Sequence, residues 1–294
     1  MATSPWNAVI AFPNYVVGNA VFTPTFSGGS WNTSAPLTNL QNPYTAYSAR
    51  STDTALSSTL FTMDMQTSRD VLVFAIPKHN LSLNAVVSVS FFDATNSLVS
   101  TTTVEAFPCI YAWGDTLFED EHWFTGTMTY EEWKLSMYPM PVLIILPSTI
   151  ICRYITVSIN DPGNEAGYIQ LSSLFVAPGW QPTYNFTYNS SISVQDNTIE
   201  TVTIGSASIF DQRAKQRVFS LSFLAIPKNE SFIRALDGAM RQGKSGQFLL
   251  SLDPTDVYNR QRLTCVCTQP TPNQLAYAFT NYSSTSFTFR EVVA

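Results

Sequence analysis

Charged side chains are scarce in this sequence. Only 12% of its 294 residues are charged, about half of the roughly 25% usual in globular proteins. A hydrophobic share of 45% excludes disorder as the dominant state, because a chain of this length can then bury a real core. Basic runs are missing as well, and the net charge is −6. Nucleic-acid affinity comes largely from Lys and Arg displacing counterions, so these absences exclude a phosphate-polymer partner.

Long apolar runs are also absent. Runs such as Pro141-Val-Leu-Ile-Ile-Leu-Pro147 fall far short of the roughly 20 residues that cross a bilayer as a helix. Membrane insertion is therefore not expected, and the run fits a buried strand bracketed by prolines. The opening MATSPWNAVIAFPNYVVGN lacks the charged segment followed by a continuous apolar core that marks a secretory signal, which predicts synthesis in a cytoplasm. On that reading the Asn-x-Ser/Thr triplets at Asn32, Asn80, Asn185, Asn189, Asn229 and Asn281 carry no glycosylation meaning.

Histidine and cysteine are too few for most catalytic constellations. Cys109, Cys152, Cys265 and Cys267 show no Cys-x-x-Cys spacing, and neither His79 nor His122 stands at a ligand offset from them. No zinc site, disulfide framework or cofactor is expected. Cys265 and Cys267 lie two apart, so both face one side of a strand as ordinary core thiols. A nucleophilic triad would need one of the two histidines, yet no Gly-x-Ser-x-Gly elbow accompanies them. His79 reads as a turn residue between two strands. Phosphate loops, His-Glu-x-x-His, dinucleotide fingerprints and the calcium-loop pattern are missing too, and no catalytic residue is assigned.

Alternation with period two is what the sequence has in abundance. Val87, Val89 and Phe91 oppose Ser88 and Ser90; Ile155, Val157 and Ile159 oppose Thr156 and Ser158. The same pattern sets Phe219, Leu221 and Phe223 against Ser220 and Ser222, and Phe287 and Phe289 against Ser286, Thr288 and Arg290. Each is a half-buried antiparallel strand, and turn formers such as Gly28-Gly29, Asn42-Pro43 and Asp161-Pro162-Gly163-Asn164 separate them. The fold class expected is mainly β, an antiparallel jelly-roll sandwich followed by a smaller β-sheet unit with one α-helix. That helix is predicted over 229–242, with Phe232, Ile233, Leu236 and Met240 as its apolar face, Asn229 as cap and Gly243 closing it. The polar run 177–200 marks the division, giving a sandwich over 1–180 with an insertion around 105–147 and a second unit over 181–294. AIPK at 75–78 and 225–228 is an echo of local chemistry and not a repeat.

The insertion is the richest candidate site. Residues 114–133 gather Asp115, Glu119, Asp120, Glu121, Glu131 and Glu132 beside Trp113, Trp123 and Trp133. Carboxylates next to aromatic platforms occur in glycosidases and sugar-binding sites, and tryptophans on a long loop also serve as subunit contacts. Trp113, Trp123, Trp133 and Glu121 are the candidates for an interface or glycan contact. Arg50 is expected to form a structural ion pair with a carboxylate such as Asp53 or Asp64.

The order of several phrases resembles a known group. WNTSAPLTNLQNPYTAYSARSTD at 31–53, AIPKHNLSLNA, WFTG at 123–126, CRYITVSINDPGN at 152–164 and LFVAPGWQPTYN at 174–185 look like tail-tip and baseplate structural proteins of tailed bacteriophages. In that group such a segment forms a galactose-binding-like jelly roll. The stretch 210–254 resembles the ring-forming sheet-plus-helix unit of phage distal tail proteins. The resemblance implies a non-enzymatic minor tail protein of the virion: a homo-oligomeric ring joining the tail tube to the hub or baseplate, with tail tube, hub, tape measure and baseplate proteins as partners. Two alternatives stand beside it. A carbohydrate-binding module aiding host-surface adhesion predicts Trp113, Trp123 and Trp133 exposed around a concave end, with host surface glycans as partner. A glycan hydrolase needs two carboxylates, Glu121 or Glu131 among them, about 5 to 10 Å apart across a cleft.

Overall fold

The computed structural model describes residues 7–17, 22–135, 140–204, 206–271 and 274–293. Strand β1 (Val9–Ala11) comes first, and seven more build the sandwich: β2 (Thr25–Ser27), β3 (Ala49–Arg50), β4 (Phe61–His79), β5 (Val86–Phe92), β6 (Leu98–Glu105), β7 (Val142–Asn160) and β8 (Gln170–Ala177). They form one antiparallel sheet in the order β3-β8-β4-β7-β5-β6, with β2 on the flank of β4. This single sheet becomes a sandwich because its two 19-residue strands bend. Pairing of β4 with β7 breaks between Asp64 and Arg69 and again between Val71 and Val73, where unequal numbers of residues face each other and the strands change layer. The Arg153 guanidinium spans the first break, donating to both oxygens of Asp64 at 2.9 and 3.0 Å, while the Gln66 N–H donates to the same carboxylate.

The apolar faces of both layers meet inside. Phe74 of β4 packs edge-on against Phe91 of β5 with ring centroids 6.5 Å apart. Val87, Val89, Phe91, Ile155, Val157 and Ile159 are buried, and each contributes roughly 1.5–3 kcal/mol by leaving water. The alternation read from the sequence thus corresponds to inward and outward faces, and the fold is mainly antiparallel β with the jelly-roll-like bent sheet expected. The apolar run 142–146 lies within β7 as a strand, almost all of it buried, and Pro147 opens an exposed stretch at the second break.

Nine further strands follow: β9 (Gly179–Trp180), β10 (Ser191–Gln195), β11 (Ile199–Val202), β12 (Ser208–Asp211), β13 (Gln216–Pro227), β14 (Gln247–Ser251), β15 (Thr264–Thr268), β16 (Gln274–Phe279) and β17 (Tyr282–Glu291). The second sheet runs β10-β13-β17-β15-β14-β1-β9, with β16 also on β17. The sheets do not follow the division expected at residue 180. Val9–Ala11 pairs with β14 and Gly179–Trp180 pairs with β1, so β1 is a strand of the second sheet. The physical reason is visible in burial. Val9, Ala11, Leu249 and Val266 join the sandwich core, whereas Ile10, Leu250, Cys265 and Cys267 join a separate core on the opposite face. Central strands buried on both sides carry no alternation in sequence and so leave no sign of where they belong.

The helix spans 228–242, beginning and ending as α-helix around a wider π turn at Ser231–Leu236. Pro227, and not Asn229, precedes its first residue, and Gly243 ends it at φ +58° as expected. Its predicted buried face is corrected by the structure. Ser231, Ala235 and Gly238 face inward, while Ile233 and Met240 are exposed. Close approach explains the choice, since a Cβ on Gly238 would meet the Phe12 ring at 2.4 Å. Glu230 fastens the helix to the crossing chain by accepting from the Trp180 indole at 2.8 Å and from the Thr183 hydroxyl at 2.7 Å. No helix among the described residues is long and apolar enough to cross a membrane.

His79 is likewise corrected: it is the last residue of β4 and not part of a turn. Its Nε2 lies 3.0 Å from the Met140 carbonyl, its Nδ1 accepts the Leu81 N–H at 3.3 Å, and its ring packs edge-on against Phe107. Burial holds its pKa down at about 4 despite the Met140 carbonyl and Asp161. A neutral imidazole with Nε2 protonated satisfies both contacts at once.

Candidate functional site

The insertion between β6 and β7 is built on a short helix (Tyr130–Leu135), whose start is fixed by Thr129 and Glu132. The Thr129 N–H donates to Glu132 Oε2 at 2.9 Å and the Glu132 N–H donates to the Thr129 hydroxyl at 3.2 Å. This reciprocal capping is written in the sequence as Thr-x-x-Glu. Glu132 then organises its surroundings. The Tyr111 hydroxyl donates to it at 2.7 Å, His122 Nε2 stands 3.4 Å away, and Tyr111 and His122 stack at 4.1 Å. Burial raises the Glu132 pKa, but the Thr129 N–H, the Tyr111 hydroxyl and His122 outweigh it and hold the carboxyl below its ordinary value. Burial first, and Glu132 second, push the Tyr111 phenol up. Arg262 from the second sheet's loop lies over the Tyr111 ring at 5.3 Å, joining the insertion to the C-terminal unit.

The three candidate tryptophans separate into two groups. Trp113 and Trp123 lie 4.7 Å apart, and Phe118 meets Trp123 edge-on. Trp133 packs instead on Phe107 at 6.3 Å and beside Tyr130, against the sandwich core. Trp113 is 65% exposed, and Leu117, Phe118 and Phe124 beside it are more so. Glu121 and Glu131 stand exposed at the surface, while the anchored carboxylate is Glu132.

Arg50 does not pair with Asp53. Its guanidinium lies 3.3 Å from the Tyr168 ring centroid, and Asp53, held at a low pKa first by the Ser58 hydroxyl and then by the Ala55 N–H, accepts that N–H at 2.9 Å in an Asx turn. The other carboxylate considered for Arg50, Asp64, is held by Arg153 of the adjacent strand β7. Among the described residues no cluster of three or more His, Cys, Asp or Glu is arranged to hold a metal ion, and the four cysteines are free thiols.

Two cavities lie where the sandwich meets the second sheet, and neither was visible in the sequence. One of about 390 Å³ is lined by His79, Phe107, Trp133, Lys215, Arg217 and Glu291. The other, of about 1220 Å³, is a cleft walled by Tyr15, Phe22, Tyr44, Arg69, Lys78 and Gln247 among others. The larger cleft draws on residues as far apart as Pro13 and Val293, so only the docking of the second sheet against the sandwich assembles it. The Gln247 side chain ties the edge of the cleft by donating to the Pro43 carbonyl at 2.6 Å.

No protein-family model matches the chain, and no curated protein matches it. Solved structures similar to it include a fucose-binding module of Streptococcus pneumoniae, at 14% identity and TM-score 0.33 over 56% of this chain and 94% of the module. A family 32 carbohydrate-binding module of Clostridium perfringens NanJ in complex with galactose is 12% identical at TM-score 0.36, over 57% of this chain and 98% of that one. The lectin domain of Lectinolysin complexed with Lewis B antigen is 11% identical at TM-score 0.34, over 56% and 96%. At these scores the function rests on the chain's own geometry.

Proposed function

We propose that this chain is a structural subunit of a larger assembly, the bacteriophage tail tip that its sequence resembles, where copies form a ring between tail tube and hub or baseplate. The arm formed by β11 and β12 carries this reading. These two strands pair only with each other, outside both large sheets. All their residues are exposed, including Ile199, Val202, Ile209 and Phe210. A two-stranded hairpin is marginally stable alone in water, and an apolar one is a ready template for another surface. Two other patches support it: the outer helix face with Ile233 and Met240, 76% exposed, and the insertion tip with Trp113, Leu117, Phe118 and Phe124. Patches of this kind on a chain poor in charge mark protein interfaces.

The test is solution mass by light scattering with negative-stain images. A closed multimer is expected, and the double variant Ile209→Asp/Phe210→Asp should reduce it to single chains while leaving the melting temperature unchanged, since the arm packs on neither core. A single-chain mass at the highest soluble concentration refutes self-assembly. A second reading, adhesion to host glycans, is favoured by the exposed Trp113 ring beside Trp123 and Phe118, an aromatic surface suited to the apolar face of a sugar. A single chain that binds glycans through Trp113 supports it over the ring.

A further inference from the structure

The large cleft differs in charge from the rest of the molecule. The sequence carries 21 acidic against 15 basic residues, yet the residues lining the cleft include Arg69, Lys78 and Arg241 and no Asp or Glu. Arg241 is paired with Asp237 at 2.7 Å, so the cations left to face the cleft are Arg69 and Lys78, and no ion pair involves either among the described residues. Arg69 lies between two rings, 4.6 Å from the Tyr15 centroid and 4.9 Å from that of Phe22. Its Nε is buried with no hydrogen-bond partner. An unsatisfied buried donor costs free energy that a bound acceptor would restore. Asp70, its neighbour in sequence, does not line the cleft and accepts the Tyr15 hydroxyl at 3.0 Å.

The remaining wall is of one chemical kind. Gln170, Gln242, Ser172 and Thr268 offer amides and hydroxyls, and the Tyr15, Phe22 and Tyr44 rings offer flat apolar faces. Amides and hydroxyls match sugar hydroxyls, and aromatic faces match the C–H side of a pyranose ring. The volume exceeds the roughly 300–1,000 Å³ of ordinary small-molecule pockets, which suits an oligomer better than a single sugar. A low-dielectric cleft lined by one sign of charge also concentrates the opposite sign.

We propose that this cleft binds an acidic oligosaccharide, with Arg69 and Lys78 facing its carboxylates and the Tyr15, Phe22 and Tyr44 rings its sugar faces. The site is separate from the Trp113 surface and does not depend on assembly, so its test leaves the ring reading untouched.

The experiment is calorimetric titration of the full chain with trigalacturonate, with its methyl ester, and with inorganic phosphate. Trigalacturonate should bind, with affinity falling as salt rises, and esterification should weaken binding on the order of tenfold or more through loss of charge-assisted hydrogen bonds. Arg69→Gln and Lys78→Gln should each weaken it by a similar factor. Tyr44→Ala, at an exposed ring, tests the stacking surface without touching the fold, and unchanged melting curves confirm that each variant is intact. Absence of binding, equal binding of acid and ester, or folded Arg69→Gln and Lys78→Gln chains with wild-type affinity would overturn the proposal. So would phosphate competing as strongly as the sugar, which would make this a simple anion site.

Discussion

Glu291→Gln tests whether the pairing of β13 with β17 rests on one buried ion pair. Glu291 is 4% exposed and Arg217 13%. The guanidinium donates from Nε to Oε2 at 2.8 Å and from Nη2 to Oε1 at 2.6 Å, the Arg217 N–H donates to Oε2 at 3.1 Å, and Nη1 donates to the Arg262 carbonyl. The pair therefore clamps the start of β13 to the end of β17, where Glu291 lies opposite Cys267, and to the loop that carries Arg262 over the insertion. Replacing the carboxylate by an amide keeps the shape and leaves a buried cation without its counter-charge. Breaking such a pair costs about 3–5 kcal/mol. At roughly 2 °C or more per kcal/mol for chains of this size, the melting temperature should fall by at least about 6 °C.

The control is Asp211→Asn, which breaks the exposed Arg213–Asp211 contact and should leave the melt unchanged, because solvent and salt screen such pairs. Replacing both partners by leucine should recover much of the loss, since a matched apolar pair carries no desolvation penalty. Melting followed by near-ultraviolet circular dichroism reads all three. A Glu291→Gln shift of less than about 2 °C, or a double leucine variant less stable than the single variant, would refute the reasoning.

Two further predictions concern titration and thiols. His79 has a folded pKa of about 4 against an ordinary value near 6.5. Its stabilising contribution is complete above pH 6.5 and is lost as pH falls from 6.5 to 4, by about 3 kcal/mol in all. Denaturant titrations across that window should show the loss in the wild type and a flatter profile in His79→Gln; identical profiles would sink the assignment. Under native conditions a thiol reagent should modify Cys109 alone, since it is exposed while Cys152, Cys265 and Cys267 are buried and burial raises the Cys152 thiol to about 12. Mass spectrometry locates the label, and modification of Cys265 or Cys267 before unfolding would contradict the buried strand.

The strands with one wet face were legible because serine and threonine on one side and valine, isoleucine or phenylalanine on the other record the environment of each position, as in Val86–Phe92 and Gln216–Pro227. The helix was legible as an element but not in its facing. Its largest apolar residues suggested the buried side, yet tight packing on Phe12 selected Ser231, Ala235 and Gly238. In the candidate site, the aromatic and acidic content of 114–133 was plain, and the Thr129-to-Glu132 spacing held a capping signal. What escaped was Trp133's separation from Trp113 and Trp123, and the replacement of an Arg50–Asp53 pair by Arg50 on Tyr168 and Arg153 on Asp64. Residues 50 and 53 are near in sequence, but a strand and an Asx turn point their side chains to different partners.

By itself, then, the sequence determined a β-rich chain with turns at its glycines, prolines and asparagines, and no concentrated positive charge, because those properties depend on residue type and on spacing of a few positions. Tertiary structure decided the rest. Val9–Ala11 joins a sheet whose other strands begin at residue 179, the two 19-residue strands fold one sheet into two layers, and the cleft with Arg69 and Lys78 exists only where these parts meet. Each of those outcomes depends on contacts between residues far apart in the chain, for which local propensity and alternation carry no record.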